Sequence, residues 1–473
     1  MHQQPLSFVL SFVAMTVLSA CSLAPDYQQP SAQIPAQYDR QSDDTKSASA
    51  APLHWQQLTQ DSNLLAMIDE VRAQNRTIEQ ARLSLKQLAV AVAGADAARL
   101  PTLQASASQS RQRLPADLSG TGTSRVAEQN TLNVGFSAFE LDLFGAASNA
   151  ALAATERFYA GEASFRATEL TIVSSLVSQY LTTQLHQQQL QLAARTTQSL
   201  QERMLLSRQR ASLGLDNELV LAQNERELAA SQVSLEQAKQ AVAQDEHALA
   251  LLLRRPLTSA EQAQLASGIS PLASVAAGLP ADLLIQRPDI MAAEHQLKAS
   301  HANIGVARAA YFPSIRLTAN AGRASADLSN LFSSGSSSWS FVPSVNLPLW
   351  DFGARDANLA TTELERDVAV STYQQRIETA FREVADSLSA LAYGKTQLQA
   401  AQDQHSQALH ALQLTQQREA AGLDSAIARL DAQRSWYTAA SQQLQLDAQL
   451  QLARLSLFKA LGGEPFAAST DDR

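Results

Sequence analysis

The 473-residue chain contains a single cysteine, Cys21, so no internal disulfide can form. Aromatic residues are scarce at 5%. Proline is absent from two long stretches, between Pro115 and Pro256 and between Pro348 and Pro465. Proline breaks helix interiors, so these gaps permit very long helices. No run of 18 apolar residues occurs after Cys21, which excludes a transmembrane helix of ordinary length there. The formal net charge of −9 argues against nucleic acid as a partner. No His pair has the i, i+4 spacing of a helical metal site, and neither a phosphate-binding loop nor a nucleophile elbow is present. The composition offers no enzyme constellation and implies no cofactor or metal.

What is present is said twice. Leu85 and Leu297, Lys86 and Lys298, Ala95 and Ala307, and Pro101 and Pro313 all sit 212 residues apart without a gap. Gly214-Leu-Asp216 answers Gly422-Leu-Asp424 at a separation of 208. A repeat of this length marks two copies of one half-structure rather than a short solenoid unit.

The first 20 residues carry no Asp, Glu, Lys or Arg, and Leu6–Leu18 is wholly apolar apart from two hydroxyl-bearing positions. This run is too short to span a bilayer and suits the core of a signal peptide. It ends in Leu18-Ser-Ala-Cys21, which resembles a bacterial lipoprotein signal cleaved before the cysteine. Cys21 is therefore the expected lipidation site, with several acyl chains giving stable anchoring. In that family Ser22 implies export to the outer membrane. The following Pro-, Gln- and Ser-rich stretch reads as a tether. The mature chain then either lies in the periplasm on its lipid or crosses the membrane as a β-barrel.

In the first proline-free stretch Val173, Leu176, Val177, Tyr180, Leu181 and Leu185 step by three and four residues; Phe381, Val384, Leu388 and Leu391 do so in the second. These patterns predict helices over about 146–210, 217–254, 355–419 and 425–461, packed as antiparallel pairs. Each half also holds two alternating segments. Trp339, Phe341, Val345, Leu347 and Leu349 form one apolar row; Ile315, Leu317, Ala319 and Ala321 form another; Leu132, Val134, Phe136 and Ala138 form a third. Leu103, Ala105 and Ala107 alternate more weakly. Strands with one apolar face and polar connecting loops suit an outer-membrane barrel. Four strands cannot close around a pore, so several protomers must share one barrel.

The expected organisation is a signal peptide at 1–20, anchor and tether at 21–53, short helices at 54–101 and a β-hairpin at 102–141. A long helical hairpin at 146–254, an equatorial linker at 255–285 and a second-half helix at 286–313 follow. A second β-hairpin at 314–349, a second long hairpin at 354–461 and a tail at 462–473 complete the chain.

Leu279-Pro-Ala-Asp-Leu-Leu-Ile-Gln-Arg-Pro-Asp-Ile290 resembles a signature of outer-membrane efflux ducts. Ala293-Glu294, Ile304-Gly305, Phe312-Pro313, Leu430-Asp-Ala-Gln433 and Lys459-Ala-Leu-Gly-Gly463 follow in that family's order. The chain is similar to the TolC-type family, in its lipoprotein branch of OprM- and NodT-like proteins. The resemblance implies a mainly α protomer, internally duplicated, with a transmembrane β part. Three protomers would form a 12-stranded outer-membrane barrel continued by a long periplasmic α-barrel. It further implies a homotrimer working with a periplasmic adaptor and an inner-membrane transporter of the RND type or similar, embedded in outer-membrane lipid. Protein secretion through the same duct and a poreless coiled-coil scaffold are the alternatives.

The resemblance places Asp431 at the constricted periplasmic end, where threefold symmetry would make a ring of three charges. A second family aspartate is replaced here by Ala428, with Arg429 beside it. Arg429 is expected to pair with Asp431 or Asp424 and to help hold the pore shut. Gly214 and Gly422 mark helix-hairpin tips, since glycine accommodates the left-handed turn after a helix. Arg210, Leu213, Leu215, Arg418, Ala421 and Leu423 surround them as expected adaptor contacts. Pro101 and Pro313 mark the entry from helix to strand, and Gly145 and Gly353 the return.

Overall fold

The computed structural model describes residues 23–31, 54–120, 122–215, 217–274 and 287–463. The expected signal peptide, Cys21, most of the tether, Leu279–Gln286 of the signature and the tail from 464 lie outside the described residues.

Along the chain run α1 (Trp55–Leu58), α2 (Ser62–Gln74), α3 (Arg76–Ala97), β1 (Gln104–Leu114), β2 (Arg125–Leu141), α4 (Ala146–Ser212) and α5 (Glu218–Leu253). Then come α6 (Ser259–Leu265), α7 (Pro288–Ala309), β3 (Ser314–Ser325), β4 (Ser337–Asn346), α8 (Ala354–Ala420) and α9 (Ala426–Ala460). The order α–β–β–α–α therefore occurs twice, with α1, α2 and α6 as additions. The proline-free stretches hold α4 and α8, each of 67 residues and about 100 Å long at 1.5 Å per residue. No described helix is long and apolar enough to cross a membrane.

Two compact units are present. The first comprises residues 1–31, 84–162 and 292–374 of the chain. Its centre is one antiparallel sheet in the order β1-β2-β3-β4. The register puts Ala105 opposite Val134, Val134 opposite Ala321 and Ala321 opposite Trp339. Directly opposed residues share a face, and successive residues alternate. One face thus collects Ala105, Val134, Phe136, Ile315, Leu317, Ala319, Phe341 and Val345. The other collects Ser106, Ser108, Thr131, Asn133, Thr318, Asn320, Ser340 and Ser344. Trp339 is 79% and Val345 67% exposed, so the apolar face is uncovered by this chain.

Two details depart from the sequence expectation. Ala138 was expected to continue the row of Phe136. Instead the register shifts between Phe136 and Phe139, and Ala138 takes φ 51°. This bulge sends the Ala138 N–H to Thr318 Oγ1 at 3.0 Å and returns Phe139 to the apolar row, where its ring meets Phe136 edge-on. Leu347 and Leu349 were expected in the last strand, but β4 ends at Asn346. Pro348 has no N–H to donate to a ladder.

The strap 23–31 also belongs to this unit. Arg308 donates to the Leu23 carbonyl, Tyr27 to Glu294, and Gln29 to the Tyr373 hydroxyl. The strap thereby runs against α7 and reaches α8. Gly305 makes room for it: a Cβ there would lie 2.6 Å from Asn149 Nδ2 and 3.0 Å from Ala24 Cβ.

The second unit comprises residues 32–83, 163–291 and 375–473 of the chain. Its core joins α1 and α2 to the middle of the long helices. Trp55, Leu64, Met67, Ile68, Val173, Leu176, Val177, Tyr180 and Leu181 are all at most 2% exposed. Trp55 packs edge-on against Phe458, with ring centroids 4.6 Å apart. Asp61 caps α2 by accepting from Asn63 and Leu64, and it also accepts from Tyr180 and Ser270 at 2.7 Å each. Burial, helped by the Asp61 charge, pushes the Tyr180 hydroxyl far above the usual phenol range. One carboxylate therefore ties the start of a short helix to a long one and to the linker.

Candidate functional site: the hairpin tips

The two long hairpins turn at matching glycines. Gly214 and Gly422 both adopt φ 73°, the left-handed conformation that side chains with a Cβ resist. The Leu215 N–H returns to the Arg210 carbonyl and the Leu423 N–H to the Arg418 carbonyl, closing both helices alike. Asn217 then caps α5 and Ser425 caps α9 with side-chain oxygens. Leu213, Leu215 and Leu423 are 74%, 65% and 67% exposed. Arg210 and Ala421 are also exposed. The tips thus present repeat-related leucines to solvent beside arginines, which is chemistry suited to a partner with an apolar and acidic surface.

Charge at the second tip is arranged differently from the sequence expectation. Arg429 pairs with neither Asp431 nor Asp424. It is 2% exposed, with its Nε 2.9 Å from Glu419 Oε2 and Nη1 donating to Gln433. The reason is helix geometry. Two residues along a helix point to different faces, so Arg429 and Asp431 cannot meet. Asp424 is already engaged: Arg418 donates to both its oxygens at 2.7 and 3.0 Å. The hydrogen bonds from Arg418 hold the Asp424 carboxyl below its ordinary range. Asp431 stays 62% exposed and lies 3.3 Å from Arg434.

Sequence reasoning missed several partners. Glu419 lies as far before the turn as Arg429 lies after it, so reflection across the hairpin could have found that pair. Arg203 of α4 also approaches Glu419, at 3.7 Å. Burial, together with the neighbouring Arg429 charge, lowers the Arg203 pKa from its ordinary value. Arg434 bonds Glu227 of α5 at 3.0 Å. Glu419 and Arg434 thus link the second hairpin to the first; no local sequence signal predicts either link. Above them a cavity of about 250 Å³ is lined by Thr196, Leu200, Ser231, Ser234 and Tyr437, among others.

The described part of the signature is structural. Arg287, 7% exposed, lies 2.8 Å from both Asp289 and Glu383, and its Nη1 donates to the Ala460 carbonyl. It ties the start of α7 to the middle of α8 and the end of α9. Pro101 follows α3 and Pro313 immediately precedes β3. Gly145 and Gly353 precede α4 and α8 with φ 74° and 88°. Among the described residues no group of three or more His, Cys, Asp or Glu side chains could hold a metal.

A family model described as outer membrane efflux protein matches residues 67–253 and again 279–463, one match for each half of the duplication. The chain is 40% identical to the solvent efflux pump outer membrane protein SrpC of Pseudomonas putida, covering 96% of this chain and 97% of that one. A crystal structure of a Pseudomonas aeruginosa membrane protein superposes with a TM-score of 0.87 at 34% identity, covering 94% and 98% of the two chains. The open-state Neisseria gonorrhoeae MtrE outer membrane channel gives 0.84 at 29%, with 94% and 98% covered.

Proposed function

The chain belongs to the outer membrane efflux protein family, and from that premise we propose that it is the exit duct of a tripartite efflux system. The family is one of channels rather than an enzyme class. The relatives are named for solvent, toluene and antibiotic efflux, and the cargo inferred here is of that kind: small toxic organic molecules.

The observation that carries the reading is the four-stranded sheet with one apolar and one polar face. A sheet of four cannot enclose a pore, and its outer strands β1 and β4 have unpaired edges. Three copies joined edge to edge give twelve strands, with the apolar face toward lipid and the polar face toward a water-filled lumen. The long hairpins then lie in the periplasm. Their tips meet a periplasmic adaptor through Leu213, Leu215 and Leu423, and the adaptor joins the duct to an inner-membrane transporter that supplies the energy. Cys21, acylated, anchors each protomer in the outer membrane. Asp431 contributes one carboxylate to a threefold ring near the periplasmic end, with Arg434 as its counter-charge.

Planar-bilayer conductance of the purified mature protein tests this. Small, cation-selective channels are expected from stable trimers. A folded protein that stays in solution without detergent once Cys21→Ala removes the lipid would sink the duct and favour a poreless scaffold.

A further inference from the structure

Arg111 and Arg323 are 212 residues apart, the offset of the duplication. Counting by twos along β1 from Ala105 and Ala107 reaches Arg111; counting from Ala319 and Ala321 along β3 reaches Arg323. The register agrees, with Ala107 opposite Leu132 and Leu132 opposite Arg323. Both arginines therefore stand on the apolar face of the sheet, just past the last apolar residues of their strands. Arg111 is three residues from the end of β1 and Arg323 two from the end of β3. Strands of a barrel tilt by about 40°, which offsets neighbouring strands by roughly 4 Å along their length. The two guanidiniums then fall within about one headgroup layer of each other in height.

This end of the sheet is the one away from the helices, which join the strands at Pro101, Gly145, Pro313 and Gly353. We propose that Arg111 and Arg323 form a ring that binds the phosphate groups of the phosphorylated glycolipid in the outer leaflet of the outer membrane. The proposal rests on the outer-membrane reading above. Threefold repetition gives six arginines around the lipid-facing rim, at the level where an anionic headgroup meets an apolar wall. Arginine suits phosphate because its planar fork donates several hydrogen bonds at once.

Arg323 is held ready. Its Nη1 donates to the Ser333 carbonyl and to Ser336 Oγ, and its guanidinium carbon lies 5.9 Å from the centre of the Phe332 ring. Only one of its two terminal nitrogens is used in these bonds. Arg111 lies 2.6 Å from Glu128, with the two side chains 70% and 33% exposed. So exposed a pair is weakly locked in water, and its fork has donors to spare for a second acceptor. Trp339, opposite Ala321 and one row below Arg323, completes the interface with an aromatic ring at headgroup depth.

The test is native mass spectrometry of the full mature trimer in detergent, titrated with a bisphosphorylated glucosamine glycolipid of the lipid A type. R111Q/R323Q is expected to lower its apparent affinity at least ten-fold, R111K/R323K less. Removing the lipid's phosphates should produce the same loss in the unmodified protein. Equal binding by R111Q/R323Q overturns the proposal. So does full competition by millimolar inorganic phosphate, which would mark a site for the free anion. If the double variant fails to trimerise, R111Q and R323Q singly are read in the same titration. Conductance of the same preparations separates the two readings. Channels with unaltered glycolipid binding in the variant remove only this proposal; phosphate-dependent binding without channels removes only the duct.

Discussion

The Arg429 guanidinium lies 2.9 Å from Glu419 across the second hairpin, and both are enclosed, while Asp431 two residues further on faces solvent. One stretch of helix thus carries a structural ion pair and an available charge on different faces. Loss of Arg429 strands a shielded carboxylate. Breaking such a pair costs about 3–5 kcal/mol when burial is complete, and less here because Glu419 is partly exposed. Arg429→Ala is expected to loosen the tip and speed amide exchange in residues 412–435, with Glu419→Gln in the same chain restoring part of the protection. Unchanged exchange would mean that the pair contributes nothing to holding the tip.

Asp431→Ala is expected to leave folding intact, since the carboxylate is 62% exposed and reaches only Arg434. Cation selectivity should fall several-fold, because a ring of three carboxylates would become a ring of arginines. Reversal potentials in a salt gradient measure this. Identical potentials in the two proteins would remove Asp431 from the conduction path.

The turn glycines can be tested for conformation apart from packing. Nothing lies within 4 Å of a Cβ built on Gly422, so Gly422→Ala suffers only from the positive φ. The cost is about 1 kcal/mol. Thermal unfolding should shift by a few degrees at most, whereas adaptor binding at a reshaped tip should weaken more. A large loss of thermal stability with normal adaptor binding would contradict this division.

His186 on α4 lies 2.6 Å from Asp245 on α5, whose other oxygen accepts from Gln179. The hydrogen bond to Asp245 raises the His186 pKa above 6.5, against the opposing effect of burial. A folded-state pKa above the unfolded one stabilises fully below the unfolded value and loses that effect as pH rises through the folded value. The first hairpin should therefore be steadier at pH 6 than at pH 8. Amide exchange corrected for intrinsic rate should show this difference in the native chain and not in His186→Gln. An equal difference in both would assign the pH effect to other groups.

Much of the architecture was legible because it is periodic and duplicated. The proline-free stretches allowed helices over 146–210 and 355–419, and the structure places them at Ala146–Ser212 and Ala354–Ala420. The alternation of Ile315, Leu317 and Ala319 gave the apolar row of β3. The glycines of the tips were legible because a left-handed turn has few residues that tolerate it. The bulge at Ala138 was not legible, because alternation alone cannot say where one extra residue enters a strand.

Local chemistry therefore determined, from sequence alone, the helices, the strands, the turns and the repeat that relates them. Which charges meet was decided only by tertiary structure. Arg429 had acidic residues near it in sequence, yet it bonds Glu419 because a helix turns 100° per residue and a hairpin brings distant faces together. Arg434 found Glu227, and Arg287 found Glu383 and the end of α9, across separations that no local pattern encodes. Ion pairs are short-ranged and specific to geometry, so their partners are fixed by packing rather than by order along the chain.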